Sequence, residues 1–270
     1  MTPLDGDEIV ALLPPPLAEL LQGIEVKPLT GSTNSDLIAA LRSGSISPPA
    51  LLLANEQTSG RGRRGSCWIS PPDANIYLSF AWSVTTTPPA LLGTLSLTTA
   101  VAIARTLIAL GLAGVGLKWP NDVWVEQRKI AGTLIEMVQR QEMWCAVIGI
   151  GLNYAQEPFR NSDPAVAAIP RPWTDICHEL RGSLPPGRNR VVALLLENLL
   201  LLLQDLALNG FDEIQREWQR LDLLRGRRIR VESEQGDIEG VAAGVAADGA
   251  LCLEQGDGLR LITSGHIELI

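Results

Sequence analysis

Between residues 115 and 152 the chain offers four strand-like segments in close succession, at 115–119, 122–125, 130–137 and 144–152. Each is dense in branched or large apolar residues, and only tight turns separate them. Parallel strands need a crossover of about a dozen residues or more. These segments therefore predict a mostly antiparallel sheet. Residues 75–84 add another strand, with Ile76, Leu78, Phe80, Trp82 and Val84 on one face and Tyr77, Ser79, Ala81 and Ser83 on the other. Residues 51–57 read as a short buried strand.

Helical patterns surround this sheet. Residues 33–42 place Leu37, Ile38 and Leu41 on one face, with Ser32 or Thr33 as N-cap and Gly44 as the stop. Residues 91–110 form a long apolar helix closed by Gly111. Two further helices, 190–208 and 211–219, are divided by Asn209-Gly210. Residues 1–30 hold a short apolar helix interrupted by Pro14-Pro15-Pro16. Residues 158–188 are rich in Pro, Gly and Arg and predict irregular chain, with a short helix near 175–180.

From Leu224 the pattern changes to short strands at 227–232, 237–245, 250–254, 259–263 and 266–270. Turn signals at Gln235-Gly236, Asp248-Gly249, Gly256-Asp257-Gly258 and Ser264-Gly265 separate them. Such a series fits a small barrel, with a boundary near Asp222.

Composition narrows the function classes. A formal net charge of -8 over 270 residues disfavours a protein that wraps nucleic acid. The first residues carry acid where a signal peptide carries base. The most apolar run, 191–208, is interrupted by Glu197, Asn198, Gln204 and Asp205 and is short for a bilayer span of about 20 residues. It reads as a buried helix, and the protein as soluble and cytoplasmic with no membrane association. Cys67, Cys145, Cys177 and Cys252 are scattered, no CxxC pair occurs, and His178 and His266 are the only histidines. Neither a disulfide nor a protein-only metal cage is expected. Cys177-His178 reads as two ordinary helix residues.

Several motifs carry chemistry. Gly60-Arg61-Gly62-Arg63-Arg64-Gly65 combines glycines that let backbone approach an anion with guanidinium forks suited to phosphate or carboxylate. Ser66 stands where a P-loop has lysine, so this is no Walker motif, and alone the loop also fits a solvated basic turn or a nucleic-acid tail. Lys118-Trp119-Pro120-Asn121-Asp122 clusters ammonium, amide and carboxylate at a strand junction, because Pro120 biases Trp119 to extended backbone and ends the strand. Lys129 opens an apolar strand in which Gly132 marks a close approach. Gly149-Ile150-Gly151-Leu152-Asn153 thins a wall and ends on an amide suited to a base edge. Ser32-Thr33-Asn34 alone is an N-cap cluster.

Taken in order, Gly-Ser-Thr-Asn, Gln-x-x-Gly-Arg-Gly-Arg-Arg-Gly, Lys-Trp-Pro-Asn-Asp, Arg-Lys-Ile-Ala-Gly-x-Leu-x-Glu and Gly-x-Gly-x-Asn resemble the biotin–protein ligases over residues 30–154. The tail from Trp218 is similar to that family's C-terminal barrel. The resemblance implies an α+β fold. A mixed, mostly antiparallel sheet with helices, like that of class II aminoacyl-tRNA synthetases, should span a catalytic domain at 1–222. A small Src-homology-3-type barrel should follow at 223–270.

It also implies roles. Ser32, Thr33, Asn34, Gln57, Gly60, the backbone of Arg61, and Gly132 should meet biotin. Arg61, Gly62, Arg63 and Arg64 should close over the adenylate, with Trp68 against adenine and Asn121 and Asn153 at its edge. Lys129 should meet the biotin carboxylate and then the α-phosphate. Asp122 should position or deprotonate the acceptor lysine, and Arg63 should assist catalysis. ATP and biotin would be the substrates, with magnesium accompanying ATP, and a biotin carboxyl carrier protein the acceptor.

This sequence departs from the family at Ser66, where relatives often carry a further basic residue. With about 30 residues before Ser32, and three prolines in a row among them, the DNA-binding winged helix of bifunctional members is not expected. An open sheet edge would allow a homodimer. A lipoate–protein ligase or octanoyltransferase is the nearest alternative. If the glycines let the loop close on the product, Gly62→Val weakens retention of biotinyl-adenylate more than binding of free biotin, as calorimetry with each ligand would measure.

Overall fold

The computed structural model describes residues 3–85, 87–140, 142–170, 172–180, 182–232, 236–256 and 258–270. Two turn residues named above, Gln235 and Asp257, lie outside the described residues. The chain opens with short helices α1 (Gly6–Leu12) and α2 (Pro15–Ala18) and then strand β1 (Gly23–Lys27). The expected N-terminal helix is thus broken in two: Asp5 caps α1 through Glu8 N, and α2 restarts with Pro15 and Pro16 in its first turn. The strand was not anticipated, because its half-buried residues show no clear apolar alternation.

Helix α3 (Thr33–Ser43) starts at Ser32 and stops at Gly44, whose φ of 78° is the left-handed stop expected from the sequence. Strands β2 (Ala50–Ala54) and β3 (Ile76–Ser83) follow. The long apolar helix begins later than expected: Pro89–Thr94 is a 3-10 turn, and only α4 (Leu95–Ala109) is α-helical. Then come β4 (Val115–Lys118), β5 (Asp122–Val125), β6 (Arg128–Arg140) and β7 (Met143–Leu152). The irregular stretch holds a 3-10 turn at Glu157–Asn161 and short helices α5 (Pro164–Ala167) and α6 (Ile176–Glu179). Helices α7 (Arg188–Asn209) and α8 (Asp212–Leu221) complete this part.

The first sheet runs β1-β2-β3-β7-β6-β5-β4 and is antiparallel throughout except for the parallel β1–β2 pair. Strands β2 and β3 are buried almost throughout because both faces of the sheet are covered there. Ile76, Leu78 and Phe80 join α4 and α7 residues in the main core, whereas Ala81, Leu52 and Val147 pack with Leu37 and Leu41 of α3. Helices α4 and α7 pack against each other. By length and composition Pro89–Ala109 and Arg188–Asn209 are apolar enough to cross a membrane, but most of each is buried inside the protein. One polar break in α7 is used within that packing: Asn198 Nδ2 donates to Thr106 Oγ1 of α4 at 3.2 Å.

The second sheet is antiparallel, with β8 (Arg228–Glu232), β9 (Ile238–Val245), β10 (Leu251–Gln255), β11 (Gly258–Ile262) and β12 (His266–Leu269) in the order β11-β10-β9-β8-β12. The β9–β10 turn seats this sheet against the start of α4. Gly249 has φ 85°, and a Cβ there would lie 3.1 Å from Leu97 Cδ1 and 3.2 Å from Gly93 O, so glycine suits both the conformation and the close approach. The buried Trp119 closes the contact, its Nε1 donating to Gly249 O at 3.0 Å. Trp119→Phe removes that donor and strands a buried carbonyl. Urea unfolding should show a loss of about 1–3 kcal/mol.

Candidate active site

One row across the first sheet organises the site. Lys118 pairs with Asp122, Asp122 with Gly132, and Gly132 with Gly151, so these four residues sit side by side on β4, β5, β6 and β7. Strand β4 ends at Lys118 just before the Trp119–Pro120 peptide, which is cis. Lys129, near the start of β6, reaches back to the same row: its Nζ lies 2.7 Å from Asp122 Oδ1 and 5.4 Å from the centroid of the Trp68 ring.

The start of α3, the turn after β2 and strand β3 supply polar groups to one end of this row. Ser32 occupies the N-cap of α3 without a side-chain capping bond, which leaves its hydroxyl to the cavity. Gln57, just beyond β2, accepts from Thr33 N at 3.0 Å and Thr33 Oγ1 at 3.2 Å and donates to Ser70 Oγ at 3.0 Å. The hydroxyl of Ser79, on β3, lies 2.7 Å from Thr33 Oγ1 and 2.5 Å from Asn34 Oδ1. Thr33, Asn34 and Ser79 are buried, so this is a pre-organised polar ring inside an apolar sheet.

The arginine loop folds as a small hairpin. Gly62 N donates to Ser66 O at 2.7 Å, and Trp68 N donates to Gly60 O at 2.9 Å. Arg64 adopts φ 53° in its 3-10 turn. This geometry sends the Arg61 guanidinium to Glu136, with Nη2 to Oε2 at 2.6 Å, and turns Trp68 inward. The indole lies over the paired glycines: a Cβ at Gly132 would be 3.1 Å from Trp68 Cζ3, and one at Gly151 would run into the indole itself. A Cβ at Gly149 would likewise meet the amide of Asn34. The close approaches expected at these glycines are thus made by side chains of the chain itself.

Ser32, Thr33, Asn34, Gln57, Arg61, Gly62, Arg63, Arg64, Trp68, Asn121, Asp122, Lys129, Gly132 and Asn153 all line one cavity of about 940 Å³. Gly60 does not line it. The space a side chain would need at Gly60 is taken by Trp68 O and by Ser70 Oγ, the latter 2.8 Å from where a Cβ would stand, so Gly60 allows the hairpin to close. Asn121 Nδ2 donates to Thr133 O at 2.8 Å and Asn153 Nδ2 to Thr174 O at 3.0 Å. Each residue keeps its amide oxygen as a further acceptor.

The cavity's charge is weighted toward cations. Burial holds the Lys118 ammonium below the usual lysine range, with Lys129 adding repulsion against the attraction of Asp122. Burial, helped by Arg64, also holds the Arg63 guanidinium below its ordinary value. Lys118 lies 5.0 Å from the centroid of the Trp124 ring. Among the described lining residues Asp122 is the only carboxylate, and Lys129 already pairs with it. Desolvated cations in excess make this a site for an anion.

Sequence reasoning gave no role to Lys118 beyond its motif and none to the wall formed by Gln156, Ala165, Ile169, Pro172 and Trp173. That wall is tied to β6 by Lys129 N to Pro172 O at 3.1 Å and Thr174 N to Lys129 O at 2.9 Å. Its proline-broken stretch carries no periodic signal. Gly265, His266 and Ile267 of the second sheet complete the lining. The fit of Trp68 over β6 and β7 generates a test. Gly151→Ala should displace the indole and raise acrylamide quenching of tryptophan fluorescence, and the rise should vanish in a Trp68→Phe background.

Comparison with known proteins agrees with this architecture. Residues 26–153 match the model of the Biotin/lipoate A/B protein ligase family, and residues 225–270 match the Biotin protein ligase C terminal domain. The biotin--[acetyl-CoA-carboxylase] ligase of Mycobacterium tuberculosis is 34% identical over 90% of this chain and 88% of its own length. The bifunctional ligase/repressor BirA of Escherichia coli is 32% identical over 91% of this chain and 74% of its own. The biotin protein ligase of Aquifex aeolicus, solved in complex with biotin and ATP, superposes with a TM-score of 0.73 at 25% identity, covering 93% of this chain and 98% of that one. The five-motif order, the shared cavity and these likenesses over most of the chain lead to one conclusion: the chain belongs to the biotin protein ligase family.

Proposed function

We propose that this chain activates biotin with ATP, forming biotinyl-5'-AMP and pyrophosphate, and then transfers the biotinyl group to a lysine of a carrier protein, releasing AMP. The observation that carries this reading is the convergence of Lys129, Asp122, the arginine loop and the polar ring of α3 on one cavity. The relatives' names support the substrate, and those that name acetyl-CoA-carboxylase support its biotin carboxyl carrier protein as the acceptor. The same resemblance supports assigning the chemistry to residues 1–222 and an accessory role to 223–270.

The first step brings two anions together: a carboxylate oxygen forms a bond to the α-phosphorus while the bond to pyrophosphate breaks. At about 4 Å and an effective dielectric near 20, one lysine charge offsets roughly 4 kcal/mol of that repulsion. Asp122 compensates Lys129 at 2.7 Å. An incoming carboxylate or phosphate competes for the ammonium and loosens Asp122 from it. Asp122 is then available to orient the acceptor lysine and take its proton as the amine attacks the acyl carbon and AMP departs. Ser32, Thr33 and Gln57 are suited to the ureido ring, and Asn121 and Asn153 to the adenine edge. Arg61, Arg63 and the loop amides suit the phosphates, and Trp68 suits packing against the base.

Magnesium enters as part of the nucleotide substrate. Among the described residues no group of three His, Cys, Asp or Glu side chains is arranged to hold a metal ion, and Asp122 is engaged by Lys129. The mixed anhydride is prone to hydrolysis, so closure of the arginine hairpin serves to exclude water until the amine arrives. A cytoplasmic location fits substrates of this kind.

Lipoate–protein ligases share the wider family and define the decisive comparison. Pyrophosphate exchange into ATP should depend on biotin and ignore lipoate, with biotinyl-AMP recoverable from protein, ATP, magnesium and biotin. Exchange driven by lipoate instead would overturn the assignment. Lys129→Ala should lower the exchange rate by roughly 100-fold or more, as removal of one transition-state charge contact does, and leave the circular dichroism spectrum intact. Unchanged exchange by a folded variant would remove Lys129 from its role.

A further inference from the structure

Glu136 ends the Arg-Lys-Ile-Ala-Gly-x-Leu-x-Glu motif yet has no part in the chemistry above. It lies on β6 beyond the cavity lining and about a quarter exposed, with a side-chain accessibility of 27%. One of its oxygens, Oε2, receives two donors: Arg61 Nη2 at 2.6 Å and Asn34 Nδ2 at 2.8 Å. The first belongs to the arginine hairpin and the second to the buried start of α3. Asn34 continues inward, its Oδ1 2.5 Å from Ser79 Oγ, which is 2.7 Å from Thr33 Oγ1. Thr33 in turn donates to Gln57. A continuous hydrogen-bonded chain therefore runs from the hairpin to the polar ring, and Glu136 is its junction.

We infer that Glu136 is a positioning residue that clamps the arginine hairpin to the sheet and couples its pose to the polar ring. By holding the guanidinium of Arg61 against β6, the carboxylate fixes where the Arg61 backbone stands. By holding the Asn34 amide, it fixes which way Asn34 Oδ1 points and hence the orientation of Ser79 and Thr33. The shared oxygen couples the two contacts, so a change at either end reaches the other. For its ligand, this clamp rests on the biotin reading; for the hairpin itself it does not.

The test uses Glu136→Gln, which keeps shape and an acceptor for Asn34 but removes the charge that holds Arg61, together with Arg61→Gln and the double variant. Trypsin cleavage after Arg63 and Arg64 in ligand-free protein reads hairpin opening. Glu136→Gln should speed cleavage by roughly threefold to fivefold, in line with a partly exposed ion pair, and the double variant should be no faster than the faster single. The melting temperature should not change. Biotin binding by calorimetry should weaken by a similar factor, roughly threefold to fivefold, at low salt, and the difference should shrink near 1 M salt, where the screening length is about 3 Å. A purely structural role would lower the melting temperature and give salt-independent losses.

Wild-type cleavage and wild-type affinity in Glu136→Gln would overturn the clamp. So would rates in the double variant equal to the product of the two singles. Should the wild-type protein bind no biotin while the cleavage difference persists, the ligand reading falls and the clamp stands.

Discussion

The pairing of β4, β5, β6 and β7 in one register is the constraint from which the rest follows. It brings Lys118, Asp122, Gly132 and Gly151 into a single row, so that a cation, a carboxylate and a hollow lie side by side. Side chains alternate along a strand with a period of two, and a slip of one residue would send this set to the opposite face. The turn at Glu126 and Gln127, both with positive φ, sets Val125 opposite Arg128, and a β-bulge between Val123 and Trp124 then shifts the pairing by one residue to bring Asp122 opposite Gly132. Burial of the strands on both faces then penalises any alternative, since Val123, Ile130 and Ile148 would lose their places in the core.

A site built to receive anions must survive without them. Here two of the cations are compensated internally. Lys129 pairs with Asp122 at 2.7 Å, and Arg61 with Glu136 at 2.6 Å. None of these groups is fully buried, which spares the protein the desolvation cost of a deeply buried pair and keeps the exchange of partners easy. Trp68 plays the equivalent part for apolar surface by lying across the glycines of β6 and β7. Its buried Nε1 meets no acceptor among the described residues, a donor suited to a polar ligand atom. These contacts are all of kinds that a carboxylate, a phosphate or a flat ring can replace.

Most elements were legible because they rest on local rules. The α3 helix followed from its cap and glycine stop, β3 to β7 from apolar runs between turns, and the second sheet from regular turn signals. The departures have local causes too. Consecutive prolines broke the first helix, and Pro88 and Pro89 delayed α4 with a 3-10 turn. Strand β1 escaped notice because its parallel partner β2, reached through α3, supplies the pairing that its own sequence does not advertise. Of the candidate site residues, only Gly60 stands outside the cavity lining, since a glycine's purpose depends on what surrounds it.

By itself, then, the sequence determined which residue types were available for chemistry and which strands and helices would carry them, because turn chemistry, capping and periodicity act over a few residues. Only the tertiary structure decided which groups meet. The wall at residues 156–173 is tied to Lys129 on β6, and the Glu136 junction and the seat of Gly249 under Trp119 join segments 75 to 130 residues apart. Contacts at that separation depend on how two covered faces of a sheet and a second sheet pack, and no short-range pattern encodes that packing.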